Sequence, residues 1–179
     1  MKKKIMKKQR GLTLIELLVV FVILAIFVGI VYQNYKESEI SRKNLEIAEF
    51  VQKVTPSILA RHPGEIATLN TAAAIALDFA PNYEVTVGGV KSIVLPGTTE
   101  VTINPNGTNT ATVLSLNGMS SLSCVDLVKK LWNGYSVIQV GGNNVKSTSA
   151  DLLTANAASL DTECSNATNS VSIEISNFG

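Results

Sequence analysis

The chain has 179 residues, of which 46% are hydrophobic and 16% charged, and a formal net charge of +1 at pH 7. This length is sufficient for one globular domain and a membrane anchor. Residues 1–11 carry six of the 15 basic residues and no acid, so residues 12–179 carry nine basic and 14 acidic residues, a net of −5. Because this charge disfavours non-specific nucleic-acid binding, no nucleic-acid partner is expected.

An apolar segment follows the basic residues at the start of the chain. From Leu12 to Tyr32 it has 21 residues and a single formal charge, Glu16. As an α-helix it would be about 31 Å long, which matches the hydrocarbon thickness of a bilayer. The preceding basic run predicts a cytoplasmic N-terminus by the positive-inside rule, so the chain after Tyr32 is predicted to be exported.

The apolar segment is expected to remain in the protein as an anchor. An ordinary secretory signal is cut after its apolar core, at a site with small residues at alternate positions. No Ala-x-Ala sequence directly follows this segment, and Ala25 and Gly29 lie inside it. Glu16 has two interpretations, since a carboxylate in a bilayer costs free energy. It is either an interfacial residue beside the basic run or a residue with a role in assembly.

Helical periodicity continues beyond the apolar segment. Neither Gly nor Pro occurs from Val31 to Thr55. One face of this stretch carries apolar residues at spacings of three, four and seven, and the other carries i,i+4 pairs of opposite charge such as Glu39 and Lys43. We therefore predict one helix from residue 12 to about residue 59, with an amphipathic half over residues 33–60.

The residues after this helix predict a head with both helices and strands. The sequence Arg-His-Pro-Gly at 61–64 breaks the helix, and His62 is interpreted as a loop residue. Capping residues and apolar or alanine-rich stripes predict short helices over 68–80, 120–132 and 150–160. Alternating apolar residues predict strands over 83–87, 90–95, 100–103, 110–116, 135–140 and 171–175. Gly and Asn sequences predict a hairpin or bulge at 88–89 and turns at 104–107 and 141–144. The head over 61–179 is thus predicted to be α+β with a mainly antiparallel sheet.

Two cysteines, Cys124 and Cys164, lie in the part of the chain that is predicted to be exported. An oxidising compartment favours a disulfide over two free thiols. A redox or metal site would instead need a Cys-x-x-Cys pair or clustered His and Cys ligands, and the sequence has neither. We predict one disulfide, no metal and no cofactor.

The sequence of residues 11–16, Gly-Leu-Thr-Leu-Ile-Glu, resembles the class III signal peptide of type IV prepilins, because it lies between a basic run and an apolar segment. The resemblance implies a leader over residues 1–11, which a prepilin peptidase removes by cutting between Gly11 and Leu12. It also implies methylation of the new N-terminus at Leu12. A transmembrane and filament-core helix over residues 12–32 and an assembly role for Glu16 are further implications.

The head resembles that of the type IVb branch of the pilins. Cys124 inside an amphipathic helix, a strand punctuated by glycines, Cys164 and a short final strand follow one another in the order of that branch. The first mature residue would be Leu12 and not the Phe of the type IVa branch, whereas the leader of 11 residues is shorter than is usual in type IVb pilins. The implied fold is a long N-terminal helix packed on a mainly antiparallel sheet with one disulfide.

The resemblance implies a structural subunit that polymerises into a type IV pilus with adhesion, aggregation or a related surface function. The implied partners are further copies of the chain, the prepilin peptidase, the membrane and the inner-membrane pilus assembly machinery. The subunit would cross the inner membrane once before assembly and lie in an extracellular pilus afterwards. The alternatives are a minor pilin, a pseudopilin of type II secretion, and a membrane-anchored periplasmic binding domain that does not polymerise. An enzyme is not expected, because the sequence lacks a Ser-His-Asp order, a metal-ligand cluster, a P-loop and a dinucleotide-binding turn.

Overall fold

The computed structural model of the protein describes residues 14–61, 68–97, 99–106, 110–147 and 153–176. The chain divides into two compact units, residues 1–39 and residues 40–179. Helix α1 (Leu14–Arg61) contributes to both units. The other helices are α2 (Thr71–Ala76), α3 (Ser121–Leu131) and α4 (Leu153–Glu163), and a short 3-10 helix covers Pro81–Tyr83.

Helix α1 continues through Pro56, a residue that cannot donate a backbone hydrogen bond. The hydroxyl groups of Thr55 and Ser57, on either side of it, each donate to the backbone carbonyl four residues earlier, over 2.8 Å and 2.9 Å. The predicted continuation of the helix to about Leu59 is confirmed, and the helix ends at Arg61.

The described strands are β1 (Glu84–Val87), β2 (Val90–Leu95), β3 (Thr99–Pro105), β4 (Ala111–Met119), β5 (Ile138–Val140), β6 (Asn143–Lys146) and β7 (Asn169–Ser176). They form one sheet in the order β1-β2-β3-β4-β7-β5-β6. Every pairing among these described strands is antiparallel, which confirms the predicted sheet type. The C-terminal strand β7 lies inside the sheet, between β4 and β5.

Two glycine pairs make tight hairpins. Gly88 and Gly89 have φ angles of 60° and 84° and join β1 to β2, and Gly141 and Gly142 have 59° and 89° and join β5 to β6. The two-residue turn that suits the right-handed twist of a hairpin needs positive φ at both positions, which glycine adopts without steric cost. The structure therefore selects the hairpin at 88–89 over the bulged strand.

The core lies in the second unit, between the sheet and the helices. Strand β7 alternates buried and half-buried residues along its whole length, as the sequence alternation predicts. The buried side chains of α3 are those of the predicted stripe, Cys124, Leu127, Val128 and Leu131. From α1 the core takes the side chains of Ile47, Ala48, Phe50, Val51, Val54 and Ile58.

Several predicted boundaries in the head are wrong. The helix predicted over 68–80 is only α2, since Asp78 has a φ of 56° and takes the chain out of the helical path. The strand predicted over 135–140 is only β5, and the helix predicted over 150–160 runs instead as α4, from Leu153 to Glu163. The turn predicted at 141–144 is shorter, because Asn143 and Asn144 already belong to β6, a strand that the sequence pattern does not predict.

Candidate functional site

The first unit presents a helix surface that is apolar on every side. The large hydrophobic side chains of α1 from Leu14 to Tyr35 are all exposed, between 47% at Ile23 and 84% at Leu14. Among the described residues, α1 is the one helix that is long and apolar enough to cross a membrane. Burying such a surface is favourable by roughly 25 cal/mol for each Å² removed from water, so it needs lipid or protein around it.

Glu16 lies within this apolar surface, in the first described turn of α1. Its side chain is exposed, as are those of its apolar neighbours. Gly11 and Leu12, the predicted cleavage and methylation positions, lie outside the described residues, so both stay predictions. The structure thus places the one predicted assembly residue that it describes on the exposed apolar surface of α1.

The outer end of the apolar segment has the side chains expected at a membrane surface. The ammonium group of Lys36 lies 4.7 Å from the centroid of the Tyr32 ring, one helical turn away. Tyrosine and lysine both favour the interface, where an apolar body can stay in lipid and a polar end in water. This pair is consistent with a hydrocarbon boundary near Tyr32.

Cys124 and Cys164 form the predicted disulfide, which is confirmed. Cys124 lies on α3 and Cys164 directly follows α4, with a Cα–Cα distance of 5.7 Å. Both residues are fully buried. The bond joins the ends of two elements that are 40 residues apart in the chain, so it fixes α3 and α4 to each other.

A buried amide joins α1 to α3 within the second unit. Asn44 Nδ2 donates to the Ser123 carbonyl oxygen at 3.1 Å and to Asp126 Oδ2 at 2.9 Å, and Asn44 Oδ1 accepts from the Ser123 hydroxyl at 2.6 Å. Asp126 also accepts from Lys130 Nζ at 2.7 Å. The sequence analysis missed Asn44. Its position three residues before Ile47, on the apolar face of α1, could have indicated that it is buried.

We expect Asn44→Leu to lower the free energy of unfolding by about 2–3 kcal/mol, because the half-buried carbonyl and hydroxyl of Ser123 and the Asp126 carboxylate lose their partner. The measurement is urea unfolding of the full chain in detergent. Ser57→Ala is the matched control, since its hydroxyl bonds only within α1, and it should change that free energy by less than about 0.5 kcal/mol. Equal losses in the two variants would show that the junction does not contribute to stability.

Lys146 is a second buried polar residue that the sequence analysis missed, and it is 3% exposed. Its Nζ donates to the carbonyl oxygens of Trp132 and Tyr135, at 2.6 Å for Tyr135, and lies 5.3 Å from the Trp132 ring. The Trp132 carbonyl is at the C-terminal end of α3, where the helix dipole favours a cation.

The Tyr135 side chain joins the segment that follows α3 to helix α1. Its hydroxyl is 3.0 Å from Thr55 Oγ1 on α1. Burial raises the pKa of Tyr135, and the hydrogen bond with Thr55 lowers it in part. Tyr135 is thus held through its carbonyl by Lys146 and through its hydroxyl by Thr55, and β5 begins three residues later, at Ile138.

The described part of the head contains no group of three or more His, Cys, Asp and Glu side chains that could hold a metal ion. It has an open groove of about 610 Å³ beside α2, lined in part by Asp78, Glu84 and Lys91. Glu84 and Lys91 pair across the β1–β2 hairpin at 3.2 Å. The expectations that the protein is not an enzyme and takes no cofactor stay predictions.

Comparisons with known proteins identify two family models along the chain. Residues 6–32 match the prokaryotic N-terminal methylation motif, and residues 37–176 match the family described as PilS N terminal. Comparison with curated proteins gave no match.

Among solved structures, the chain is similar to TcpA, a type IV pilin from Vibrio cholerae El Tor biotype, with 18% sequence identity and a TM-score of 0.54. The match covers 74% of this chain and 98% of the TcpA chain, and at this identity it shows the fold alone. The apolar helix, the methylation motif, the antiparallel sheet and the disulfide agree with that fold. Because the second family model covers residues 37–176, well over half of the chain, the protein belongs to the PilS N-terminal family and is a type IV pilin-like protein.

Proposed function

We propose that the protein is a pilin subunit that polymerises into a surface filament. A prepilin peptidase would cut the precursor between Gly11 and Leu12 and methylate Leu12, and inner-membrane assembly machinery would then extract the subunit from the membrane. Before assembly, the chain would cross the inner membrane once with its N-terminus in the cytoplasm. The observation that carries the proposal is the apolar surface of α1 from Leu14 to Tyr35, which is exposed on every side and lies largely within the match to the methylation motif over residues 6–32.

The proposed filament would be stabilised by the burial of the apolar surface of α1. Lipid covers the apolar surface in the membrane, and once the subunit leaves the membrane only other surfaces of the same kind can replace it. One side of this surface has a shallow depression lined by Leu14, Leu17, Leu18, Phe21, Val22 and Ala25. Rows of large and small side chains let the ridge of one helix enter the groove of the next.

Immunogold electron microscopy of filaments sheared from the cell surface tests the proposal. We expect antibody against the head to label the filaments along their length, as a subunit present in every turn requires. Labelling only at filament tips would indicate a minor pilin. Absence from filaments, with the protein remaining in the cell envelope, would favour a pseudopilin or an anchored binding domain and would contradict the proposal.

We expect Gly11→Val to leave the full-length precursor in the membrane, because a branched side chain beside the scissile bond would obstruct the approach of the peptidase. The measurement is the size and N-terminal sequence of the membrane-bound protein. Gly29→Ala is the matched control, since a Cβ at Gly29 would meet no atom within 4 Å and this glycine lies far from the cut. A mature N-terminus other than Leu12 in the wild-type protein would contradict the assigned site.

A further inference from the structure

Strand β1 lies at one end of the sheet, so one of its two edges has no neighbouring strand. At the other end of the sheet, β6 contacts α4, and Asn143 Nδ2 on β6 donates to Glu163 Oε2 on α4 at 2.8 Å. Among the described residues, no backbone group outside β2 forms a hydrogen bond with β1. An edge whose N–H and C=O groups are open in this way is a template for a further strand.

The two-residue turn at 88–89 determines which backbone groups of β1 face the open edge. Val87 and Val90 flank this turn and lie opposite each other. In a two-residue hairpin the flanking pair exchanges hydrogen bonds, and along an antiparallel ladder such pairs alternate with pairs that exchange none. The N–H and C=O groups of Glu84 and Thr86 therefore point away from β2, towards the open edge.

The surface of the sheet that faces away from the core is apolar at this same end. Ile93 and Leu95 of β2 are buried, so the residues that alternate with them lie on the opposite surface. This surface carries Val90, which is 69% exposed, and Val85, which lies opposite Ser92 and is 41% exposed. Further along the sheet the same surface is polar, with Glu100, Thr102 and Asn104 on β3 and Ser172, Glu174 and Ser176 on β7.

A second copy of β1 in antiparallel orientation satisfies the open backbone groups. When Glu84 of each copy lies opposite Thr86 of the other, both pairs exchange their two N–H···O bonds. This register places Val85 opposite its own copy, with both side chains on the surface that faces away from the core. A slide of one pairing step in one direction would place Glu84 opposite Glu84, which like charges disfavour. A slide in the other direction would place Glu84 opposite Gly88, beyond the end of the strand.

We propose that β1 is a contact between two copies of this chain, which pair along this edge with Val85 opposite Val85. Within each copy Glu84 is already paired with Lys91 at 3.2 Å, so the contact brings no uncompensated charge into the new ladder. This contact goes beyond the proposed function and does not depend on it. Because it has two-fold symmetry, it closes on itself and cannot extend a filament. In the proposed filament it would join subunits of neighbouring filaments.

Cysteine cross-linking of the full chain in detergent tests the pairing. Val85→Cys should give a disulfide-linked dimer on mild oxidation, because Cβ atoms of directly opposed residues lie about 4.5–5.5 Å apart. Val90→Cys is the matched control, since this valine is more exposed but lies one strand further from the contact. Its two copies would be three strand spacings apart, about 14 Å. We expect about tenfold more dimer from Val85→Cys, with the link located at position 85 by peptide mapping.

A proline on the edge strand separates strand pairing from chance collision. In the Val85→Cys chain, Thr86→Pro removes an N–H group that points to the open edge, and proline is tolerated on an edge strand at such a position. We expect the dimer to fall by about tenfold at an unchanged membrane pool of subunit. Thr86→Val is the matched control, because it keeps the backbone donor, and it should keep the dimer.

Three results would overturn the proposed contact. They are equal dimer from Val85→Cys and Val90→Cys, undiminished dimer in the proline variant, and cross-linking of Val85→Cys in cells to another envelope protein in place of its own copy.

Electron microscopy of sheared filaments tests where the contact lies. Many weak contacts along two filaments act together, so wild-type filaments should lie side by side and Thr86→Pro filaments should lie singly. Side-by-side filaments from Thr86→Pro would contradict the contact between filaments. A dimer in detergent from a chain that forms no filaments in cells would instead contradict the proposed function and leave the pairing in place.

Discussion

Glu16→Ala should abolish filaments while leaving the subunit inserted, processed and abundant in the membrane. The new amine at Leu12 and the Glu16 carboxylate of a neighbouring subunit would meet where little water remains. At an effective dielectric constant near 20, their attraction at 4 Å is about 4 kcal/mol before the cost of desolvation. The alanine variant loses this contact. The apolar surfaces of neighbouring helices alone do not fix one axial position, so the subunits lose their register. The measurement is the amount of sheared filament relative to the membrane pool.

Glu37→Ala is the matched control for that experiment, because Glu37 is an exposed carboxylate on the same helix beyond the apolar segment. It should form filaments at the wild-type level. When Glu16→Ala is co-expressed with the wild-type chain, the defect should be milder, because the amine of the variant can still pair with Glu16 of a wild-type neighbour. Filaments from Glu16→Ala alone at the wild-type level would leave Glu16 as an interfacial residue without a role in register.

Cys164→Ser, in contrast, should lower the amount of the subunit in the envelope. The disulfide closes a loop between residues 40 apart, and in the chain-entropy model its loss costs about 4 kcal/mol of stability. The variant also leaves a serine hydroxyl and a thiol at two fully buried positions, which adds to the loss. We expect a strong fall in subunit abundance, measured by immunoblot of the envelope fraction, and a matching loss of filaments.

The double variant Cys124→Ala with Cys164→Ala controls for the buried polar atoms. It should recover part of the abundance, because two small apolar side chains replace the bond without an unpaired hydroxyl or thiol. Thiol labelling of the native wild-type subunit should find no reactive cysteine. Labelling of either cysteine, or a wild-type abundance of Cys164→Ser, would contradict a stabilising disulfide.

Glu16→Ala and Cys164→Ser affect different parts of the molecule. Glu16→Ala should leave the membrane pool full and the filaments absent, whereas Cys164→Ser should deplete both. The ratio of filament to membrane pool therefore separates a defect of assembly from a defect of folding.

Much of this architecture follows from local sequence. The apolar run from residue 12, the absence of helix breakers up to Thr55 and the apolar stripe beyond it predict α1 almost to its end. The paired glycines at 88–89 predict a hairpin or a bulge, because few other residues take positive φ. Alternation along β7 and the stripe of α3 predict which side chains are buried. In each case the signal and the structure it specifies lie within a few residues of each other.

Other features depended on residues that are distant in the chain. Strand β6 has only Val145 as an apolar residue, and it forms because β5 offers it an edge after the 141–142 hairpin. The place of β7 between β4 and β5 is a matter of long-range pairing, which no local pattern encodes.

The sequence by itself determined the anchor helix, the position of Glu16 in its apolar surface, the cysteine pair and the α+β class, because these rest on composition and short-range period. Only the tertiary structure decided that Asn44 and Lys146 are buried. A polar side chain is buried only where partners from other elements satisfy it, as Ser123 and Asp126 do for Asn44 and the carbonyl groups of Trp132 and Tyr135 do for Lys146. Those partners are 11 to 82 residues away in the chain, so folding alone brings them together.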